Sequence, residues 1–345
     1  MGRTPISDGP PWPAVGDAET VRSATLSPED LHVSTPARRG DLAARVLFLA
    51  AGLSVFAVLG FILWVLASNT FLFFTEHSPW RFFFETAWHQ AGTVERAAGG
   101  HGTYSVIPLL SGTLLITVGA AVIGLPLGLA TAVFLAEYAG PRIRGFLKPA
   151  LEVLAGIPSI VFGFFALQVV SPWVQEITEP GTLLFRVFGE QAAVFNALSA
   201  IIVVGIMVLP IVTSLSEDAL RAVPRHLREA SMGLGATKWE TTRKVVVPAA
   251  LSGITASFVL GVARALGETM AVALAGGNTP NLTFNPVEAV QTMTAFMVQR
   301  QEGDLPQSGP DYHVLFAVGA TLFALTLALN LLARRFVKRF REVEA

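Results

Sequence analysis

The sequence predicts an all-α integral membrane protein with six transmembrane helices and both termini in the cytoplasm. Of its 345 residues, 52% are hydrophobic and 14% are charged, whereas a soluble domain has about 25% charged residues. Several uncharged runs are long enough to cross a bilayer, and the basic residues are concentrated in alternate connecting segments. These observations exclude an ordinary soluble domain.

The segment before the first span, residues 1–40, is polar and rich in proline and serine. It has neither helix nor strand periodicity, so it cannot bury enough apolar surface to offset the loss of chain entropy. It also lacks the basic start and short apolar core of a secretory signal. We therefore predict a disordered cytoplasmic tail over 1–40 and a membrane domain over 41–345.

The membrane spans are predicted from the length of the apolar runs, because about 20 apolar residues are needed to cross about 30 Å of hydrocarbon. Five uncharged runs reach this length, at 46–75, 102–136, 153–175, 191–216 and 312–333. The second run exceeds one straight crossing, so part of it is predicted to be loop or interfacial. A sixth span is predicted within 245–287, interrupted only by Arg264 and Glu268.

The orientation of the spans follows from the distribution of lysine and arginine. With both termini inside, 19 of the 24 basic residues lie in inside segments and four lie outside. The remaining one is Arg264 within the sixth span. Such a bias toward the cytoplasmic side follows the positive-inside rule and makes the inverted topology improbable.

The longest inside connection, about 217–248, is predicted to form a helix, a glycine break and a second helix. Pro224 suits a first helical turn, and the following small and apolar residues recur on one helical face. Gly235 ends that helix, and the spacing of Thr237 and Glu240 is that of a capping box. On its residues alone, this loop is either an ordinary solvated connection or a docking site for a cytoplasmic subunit.

Arg264 and Glu268 are four residues apart, which would place them on one face of a continuous helix. A charge at the centre of a span costs about 2.5–3.5 kcal/mol, so the pair needs an explanation. One hypothesis is that the two side chains pair and pin this helix to its neighbours. The other is that Arg264 lines a pathway for an oxyanion, which its planar guanidinium can bind through two parallel hydrogen bonds. Glu268 would then position the guanidinium and compete for it, so that the anion is released.

Other chemistry is limited by the residues that the chain contains. It has no cysteine, and its six histidines show no metal-ligand spacing, so no metal or cofactor is predicted. A Walker A loop needs glycine immediately before lysine, and the four lysines follow Leu147, Thr237, Arg243 and Val337. We therefore do not expect this chain to hydrolyse ATP by that route.

The inside loop resembles the EAA loop of ABC importer permeases. That pattern is Glu-Ala-Ala, three residues, Gly, nine residues, an apolar residue, one residue, an apolar residue and Pro. It is matched here by Glu229, Ala230, Ser231, Gly235, Val245, Val247 and Pro248. The one departure is Ser231 in place of the second alanine, which exchanges one small residue for another.

Within that family, several segments between residues 104 and 335 resemble the PstC group of phosphate-importer permeases. After Gly267 and Glu268 the sequence continues Thr269-Met270-Ala271. This continuation differs from the Ala-Pro that follows Gly-Glu-Thr in the sister PstA group. It also differs from the Phe-Gly of sulfate and molybdate permeases.

The resemblance implies a type I ABC importer permease fold in the inner membrane, with Arg264 and Glu268 in the substrate pathway and the EAA loop coupled to an ATPase. It also implies a PstA-like sister permease, a dimer of cytoplasmic ATP-binding subunits and an extracytoplasmic phosphate-binding protein. Three alternatives remain: a permease for sulfate, molybdate or phosphonate, a secondary transporter without an ATPase, and a membrane scaffold that transports nothing.

Overall fold

The computed structural model describes residues 35–86, 88, 104–302 and 310–343, and these residues form helices and loops only. By its internal contacts the chain divides within the first helix, into Met1–Leu63 and Trp64–Ala345. The described part of the first unit is the beginning of α1 (Thr35–Glu76). The predicted disordered tail over 1–40 lies largely outside the described residues, and α1 begins at Thr35, within the last part of that segment.

The second unit contains the end of α1 and the helices that follow it. In chain order the described helices are α2 (Pro79–Phe84), α3 (Ile107–Val133), α4 (Pro141–Gly156), α5 (Ser159–Phe165), α6 (Ser171–Ile177), α7 (Leu183–Phe188), α8 (Ala197–Ala222), α9 (Arg225–Gly233), α10 (Lys238–Thr241), α11 (Val247–Ala249), α12 (Leu251–Leu266), α13 (Met270–Ala275), α14 (Met293–Glu302) and α15 (Pro310–Val343).

Five of the predicted spans are confirmed among the described residues as apolar helical segments long enough to cross a membrane. They are Gly40–Glu76, Ile107–Tyr138, Ser159–Ile177, Ala197–Ala222 and Tyr312–Arg335. The third and fourth begin about six residues later than predicted, for local reasons. Pro158 precedes the third, since α4 ends at Gly156 and the chain turns there. The Asn196 side chain caps the fourth by accepting the backbone N–H of Ser199 at 2.7 Å.

The sixth span is a broken one, which corrects the prediction of a continuous crossing within 245–287. The helical segments Lys238–Ala249 and Leu251–Leu266 meet at an angle of 72°. Helix α12 then ends at Leu266, and the six-residue helix α13 follows only after Gly267, Glu268 and Thr269. Arg264 and Glu268 therefore lie on opposite sides of a break in the chain.

Small residues bring α3, α8 and α12 close together, as is common where membrane helices pack. A Cβ added to Gly124 of α3 would lie 2.8 Å from the Gly205 carbonyl oxygen of α8. A Cβ on Gly128 or on Gly261 would lie equally close to a methyl group of Val212. These helices therefore form the centre of the second unit, and their separation is too small for any residue larger than glycine at these positions.

Within the described part of this unit, three π-helical turns interrupt the helices, at Phe134–Tyr138, Ala166–Val170 and Thr242–Val246. A π-turn accommodates one more residue than an α-turn and is frequent at functional sites. The first extends α3, the second joins α5 to α6, and the third joins α10 to α11. Two of the three therefore lie next to the long inside loop or within it.

A separate buried cluster connects the inside loop to the central helices. Its members come from the inner ends of α3, α8 and α12 and from the third π-turn, and they are Ala132, Leu220, Val223, Val246, Ala250 and Ile254. Apolar packing thus fixes both ends of the loop to the membrane helices, while the loop's middle remains at the surface.

Candidate functional site

Glu268 holds the break in the sixth span through its own side chain and backbone. Its carboxylate is buried at 6% exposure, and Oε1 accepts the backbone N–H groups of Thr269 at 3.1 Å and Ala271 at 3.4 Å. Its carbonyl oxygen accepts a hydrogen bond from the Thr294 hydroxyl at 2.8 Å. In a membrane the backbone groups freed by a break must find partners within the protein, and Glu268 and Thr294 supply them.

Arg264 lies in the last turn of α12 and its side chain is exposed. It shares one face of that helix with Ala256 and Leu260, which are exposed as well. The adjacent face, which includes Ser257 and Gly261, is buried against the central helices. Within the second unit, Ala256, Leu260 and Arg264 therefore form an exposed stripe along α12, in which Arg264 is the charged residue.

The ion pair between Arg264 and Glu268, which is one of the two hypotheses from the sequence, does not form. The carboxylate is buried against the N–H groups of α13, whereas the guanidinium is exposed on α12, because the break at Gly267 removes the helical register that would bring them together. Among the described residues, no carboxylate makes an ion pair with Arg264. The hypothesis of an internal pair that pins the helix is thus wrong.

Below Arg264, toward the cytoplasmic end of the same stripe, Leu260 lines a cavity of about 320 Å³ between α4, α8 and α12. The cavity is largely apolar, with Lys148 and Glu217 among its lining residues. The buried Glu217 carboxylate lies 2.6 Å from Arg144, 3.0 Å from Arg221 and 3.5 Å from Lys148. This ion cluster joins α4 to the inner end of α8.

The inside loop has the predicted order of helix, glycine break and helix. Helix α9 ends at Gly233, and Gly235 adopts a left-handed conformation with φ of 89°. The predicted capping box is confirmed, since Thr237 accepts the backbone N–H of Glu240 and the Glu240 carboxylate accepts that of Thr237. Of the residues in the EAA pattern, Glu229, Ala230, Gly235 and Pro248 are exposed.

Ser231, the residue that departs from the EAA pattern, is half-buried and contacts the next helix. Its hydroxyl forms a hydrogen bond of 2.9 Å with the hydroxyl of Thr241. An alanine could not make this bond. The serine thus joins α9 directly to the end of α10, and through it to the segment that leads into α12.

Arg228 was not predicted from the sequence, although it makes the most extensive side-chain contacts in the loop. Its guanidinium donates to Glu137 Oε1 at 3.0 and 3.2 Å and to the Leu220 carbonyl oxygen at 2.7 Å. Glu137 belongs to the π-turn that ends α3, and Leu220 belongs to the last part of α8. Arg228 therefore connects α9 to the inner ends of both helices, and no local sequence pattern relates it to Glu137, 91 residues away.

The loop also presents apolar side chains to its surroundings. Leu234 is 91% exposed, and Trp239 and Met232 are about half exposed. Leu234 lies just beyond the end of α9, beside the glycine break. Exposed apolar groups at the end of a loop are typical of a surface that another protein covers.

Gly235 offers a test of the break between the two helices. Gly235→Val is expected to weaken association with the ATP-binding subunit that the EAA resemblance implies, because a β-branched residue is strained at positive φ and the strain costs about 1–3 kcal/mol. Gly233→Val is the matched control, since neither glycine has an atom within 4 Å of an added Cβ and only Gly235 has positive φ. Co-purification of the subunits measures the effect, and equal losses in both variants would contradict this explanation.

The sequence is similar to a known family of membrane transport proteins. Residues 124–342 match the family described as "Binding-protein-dependent transport system inner membrane component". The chain is 36% identical over 236 residues to the probable ABC transporter permease protein YqgH of Bacillus subtilis, covering 68% of this chain and 72% of that protein. It is 33% identical over 247 residues to the phosphate transport system permease protein PstC of Mesorhizobium japonicum, covering 68% and 74%.

One solved structure contains a chain whose fold is similar to that of this protein. The crystal structure of a bacterial alginate ABC transporter in complex with an alginate pentasaccharide-bound periplasmic protein contains a chain that aligns with a TM-score of 0.56 at 14% identity. The alignment covers 87% of this chain and 96% of that one, and it confirms the predicted ABC importer permease fold. The family match, which covers well over half of the sequence, shows that this chain belongs to the binding-protein-dependent transport system inner membrane components.

Proposed function

We propose that the chain is the membrane-spanning subunit of an ATP-driven importer of inorganic phosphate in the inner membrane. The observation that carries this proposal is Arg264, an arginine without an ion-pair partner among the described residues, on an exposed face within a membrane span. The names of curated relatives at 31–33% identity, which are phosphate transport permeases, support phosphate as the cargo.

The surroundings of Arg264 suit a transient oxyanion site. An arginine that already held a carboxylate would have to give it up before binding an anion, and Arg264 holds none within the described part of the chain. Its planar guanidinium can donate two parallel hydrogen bonds to phosphate. A single cation next to the apolar wall around Leu260 favours weak binding, which a pathway site requires for release.

Glu268 has a positioning role in this proposal. It stabilises the break that ends α12 two residues after Arg264, and the break leaves the guanidinium on an open helix end. The competition for Arg264 predicted from the sequence would need the two side chains to meet, and Glu268 is instead buried against α13.

We infer the partner proteins from the surfaces that remain exposed on this single chain. The stripe of Ala256, Leu260 and Arg264 needs a second, PstA-like permease to enclose a pathway. The loop with Leu234 and Trp239 exposed fits a cytoplasmic ATPase, which supplies the energy because we assign no ATP site to this chain. An extracytoplasmic phosphate-binding protein would provide the tight selection that the weak pathway site does not.

The proposed function is tested by uptake of labelled phosphate into cells that express this chain with its neighbouring transporter genes. Uptake should require the chain and should fall with excess unlabelled arsenate, but not with sulfate or molybdate. Phosphate uptake that does not depend on the chain would contradict the assignment of phosphate and leave the sulfate, molybdate and phosphonate alternatives.

A secondary transporter is the alternative of a different class, and co-purification separates the two. An ATP-driven permease is expected to bring an ATP-binding subunit with it, whereas a secondary carrier would purify without one. The exposed apolar residues on the inside loop, Met232, Leu234 and Trp239, favour the first.

Glu268 offers a prediction that separates its hydrogen bonds from its charge. Glu268→Gln is expected to keep most of the uptake, because the amide oxygen can accept the same N–H groups of Thr269 and Ala271. Glu268→Ala loses both bonds and a cap worth about 0.5–2 kcal/mol, so its uptake should fall much further. Transport by membrane vesicles, normalised to the amount of assembled complex, measures both. Equal loss in the two variants would show that the charge itself is needed.

A further inference from the structure

A groove runs between α12 and α15 on the second unit, separate from the stripe that carries Arg264. Its volume is about 320 Å³, and its lining is almost entirely apolar, with Phe258, Val259 and Val262 on one wall and Leu329 and Leu332 on the other. Both helices belong to membrane spans, so this groove lies at the depth of lipid acyl chains.

The groove contains one polar side chain whose hydrogen-bonding groups are not used. The hydroxyls of Thr255 and Thr326 donate to carbonyl oxygens of their own helices, at 2.8 and 3.0 Å. Asn330 also lines the groove and is exposed, and its amide has no hydrogen bond to any residue that the structure describes. An unpaired amide within a span is costly unless something outside the chain bonds to it.

The depth of Asn330 identifies the kind of group that can do so. The uncharged run of this span ends at Ala333, before Arg334 and Arg335, and four residues at about 1.5 Å per residue place Asn330 about 6 Å from Arg334, on the membrane side. Arg334 lies four residues after Asn330, which puts it on the same helix face one turn nearer the cytoplasm. Arg334 and Arg335 are both exposed, and neither makes an ion pair within the described ranges.

We propose that this groove binds an anionic phospholipid of the cytoplasmic leaflet. One acyl chain lies along Val259, Val262 and Leu329, the Asn330 amide donates to an ester carbonyl, and Arg334 with Arg335 binds the phosphate. The order from apolar wall to amide to guanidinium groups matches the order from acyl chain to ester to headgroup phosphate. Two adjacent cations favour a lipid with net negative charge over a zwitterionic one.

The competing occupant is a transmembrane helix of the sister permease. Such a helix could fill the apolar wall, but it would need an acidic or polar side chain at two defined depths to serve Asn330 and Arg334. A lipid supplies both groups without any such match, and the observations therefore favour lipid.

The first test counts lipids bound to the purified full complex by native mass spectrometry, using nanodiscs of phosphatidylglycerol and phosphatidylethanolamine. Arg334→Gln should lower the retention of phosphatidylglycerol about fivefold, since each arginine near the surface contributes about that factor. Asn330→Leu should lower the retention of both lipids. Arg142→Gln, which removes an exposed cation from α4, is the control and should change neither. Wild-type retention of phosphatidylglycerol in Arg334→Gln would overturn the proposal.

The second test identifies the occupant directly and does not depend on headgroup charge. A photoreactive benzoylphenylalanine placed at Val259 should crosslink to phospholipid in the assembled complex, and Ala263→Phe, which narrows the groove, should reduce that product. A crosslink to the sister permease in place of lipid would overturn the proposal. Neither test measures transport, so both outcomes are independent of which anion the complex imports.

Discussion

Replacing Arg264 with leucine is expected to reduce phosphate uptake to background while the complex still assembles. The guanidinium makes no ion pair among the described residues, so none of their carboxylates loses an ion-pair partner when Arg264 is replaced. Removing an arginine from within a span also removes a cost of about 2.5–3.5 kcal/mol. Folding and assembly should therefore be as good as in the wild type or better, although transport is lost.

This combination distinguishes a transport role from a structural one. Size-exclusion chromatography and thermal unfolding of the purified complex measure assembly, and uptake of labelled phosphate into proteoliposomes with the binding protein measures transport. Arg264→Lys should keep part of the uptake, because it retains the charge and loses the two-pronged hydrogen bonding. Arg142→Leu, at an exposed arginine of α4, is the control. Normal uptake by Arg264→Leu would remove Arg264 from the pathway.

Replacing Arg228 with glutamine is expected to separate ATP hydrolysis from transport. Arg228 connects α9 to Glu137 at the end of α3 and to the Leu220 carbonyl of α8. Helix α9 contains the exposed Met232 and is followed directly by the exposed Leu234. A movement of the ATPase would therefore reach α3 and α8 through Arg228. Each hydrogen bond to a charged group contributes about 1.5–3 kcal/mol, and we expect the phosphate transported per ATP to fall on the order of tenfold.

The measurement is the ratio of phosphate transported to ATP hydrolysed by the reconstituted complex. Glu137→Gln should reproduce the effect more weakly, because its amide oxygen can still accept from Arg228. Arg225→Gln, at the exposed first residue of α9, is the matched control. A fall in ATP hydrolysis and transport by the same factor would instead indicate that Arg228 supports only the attachment of the ATPase.

The long apolar spans were predictable because each depends on a run of neighbouring residues. The helix boundaries inside the loop were predictable for a similar reason, since the capping box of Thr237 and Glu240 is a contact across three residues. The EAA spacing also predicted which loop forms the surface that couples to the ATPase. It did not reveal Trp239, which carries much of the exposed apolar area there and lies between the patterned positions.

The break in the sixth span was not predictable, because one of the contacts that stabilise it comes from far along the chain. Thr294 donates to the Glu268 carbonyl across 26 residues, and a glycine such as Gly267 is common within continuous membrane helices. The inference that Arg264 and Glu268 share a face assumed an unbroken helix. A functional role for Arg264 could be predicted from the sequence, because a charge within a membrane span is costly. The separation of Arg264 from Glu268 could be seen only in the structure.

The π-turn at Thr242–Val246 gives the EAA spacing a geometric meaning. It begins within the nine residues that separate Gly235 from the first apolar position of the pattern, Val245, and it includes Val245 itself. It holds one residue more than an α-turn. Deleting that residue would restore an α-helix, and the helix before it would turn by about 100° relative to α12. The nine-residue spacing between Gly235 and Val245 therefore sets the rotation of the preceding helix relative to α12. An insertion or deletion in this segment would change that rotation, even where every side chain in the segment can be replaced.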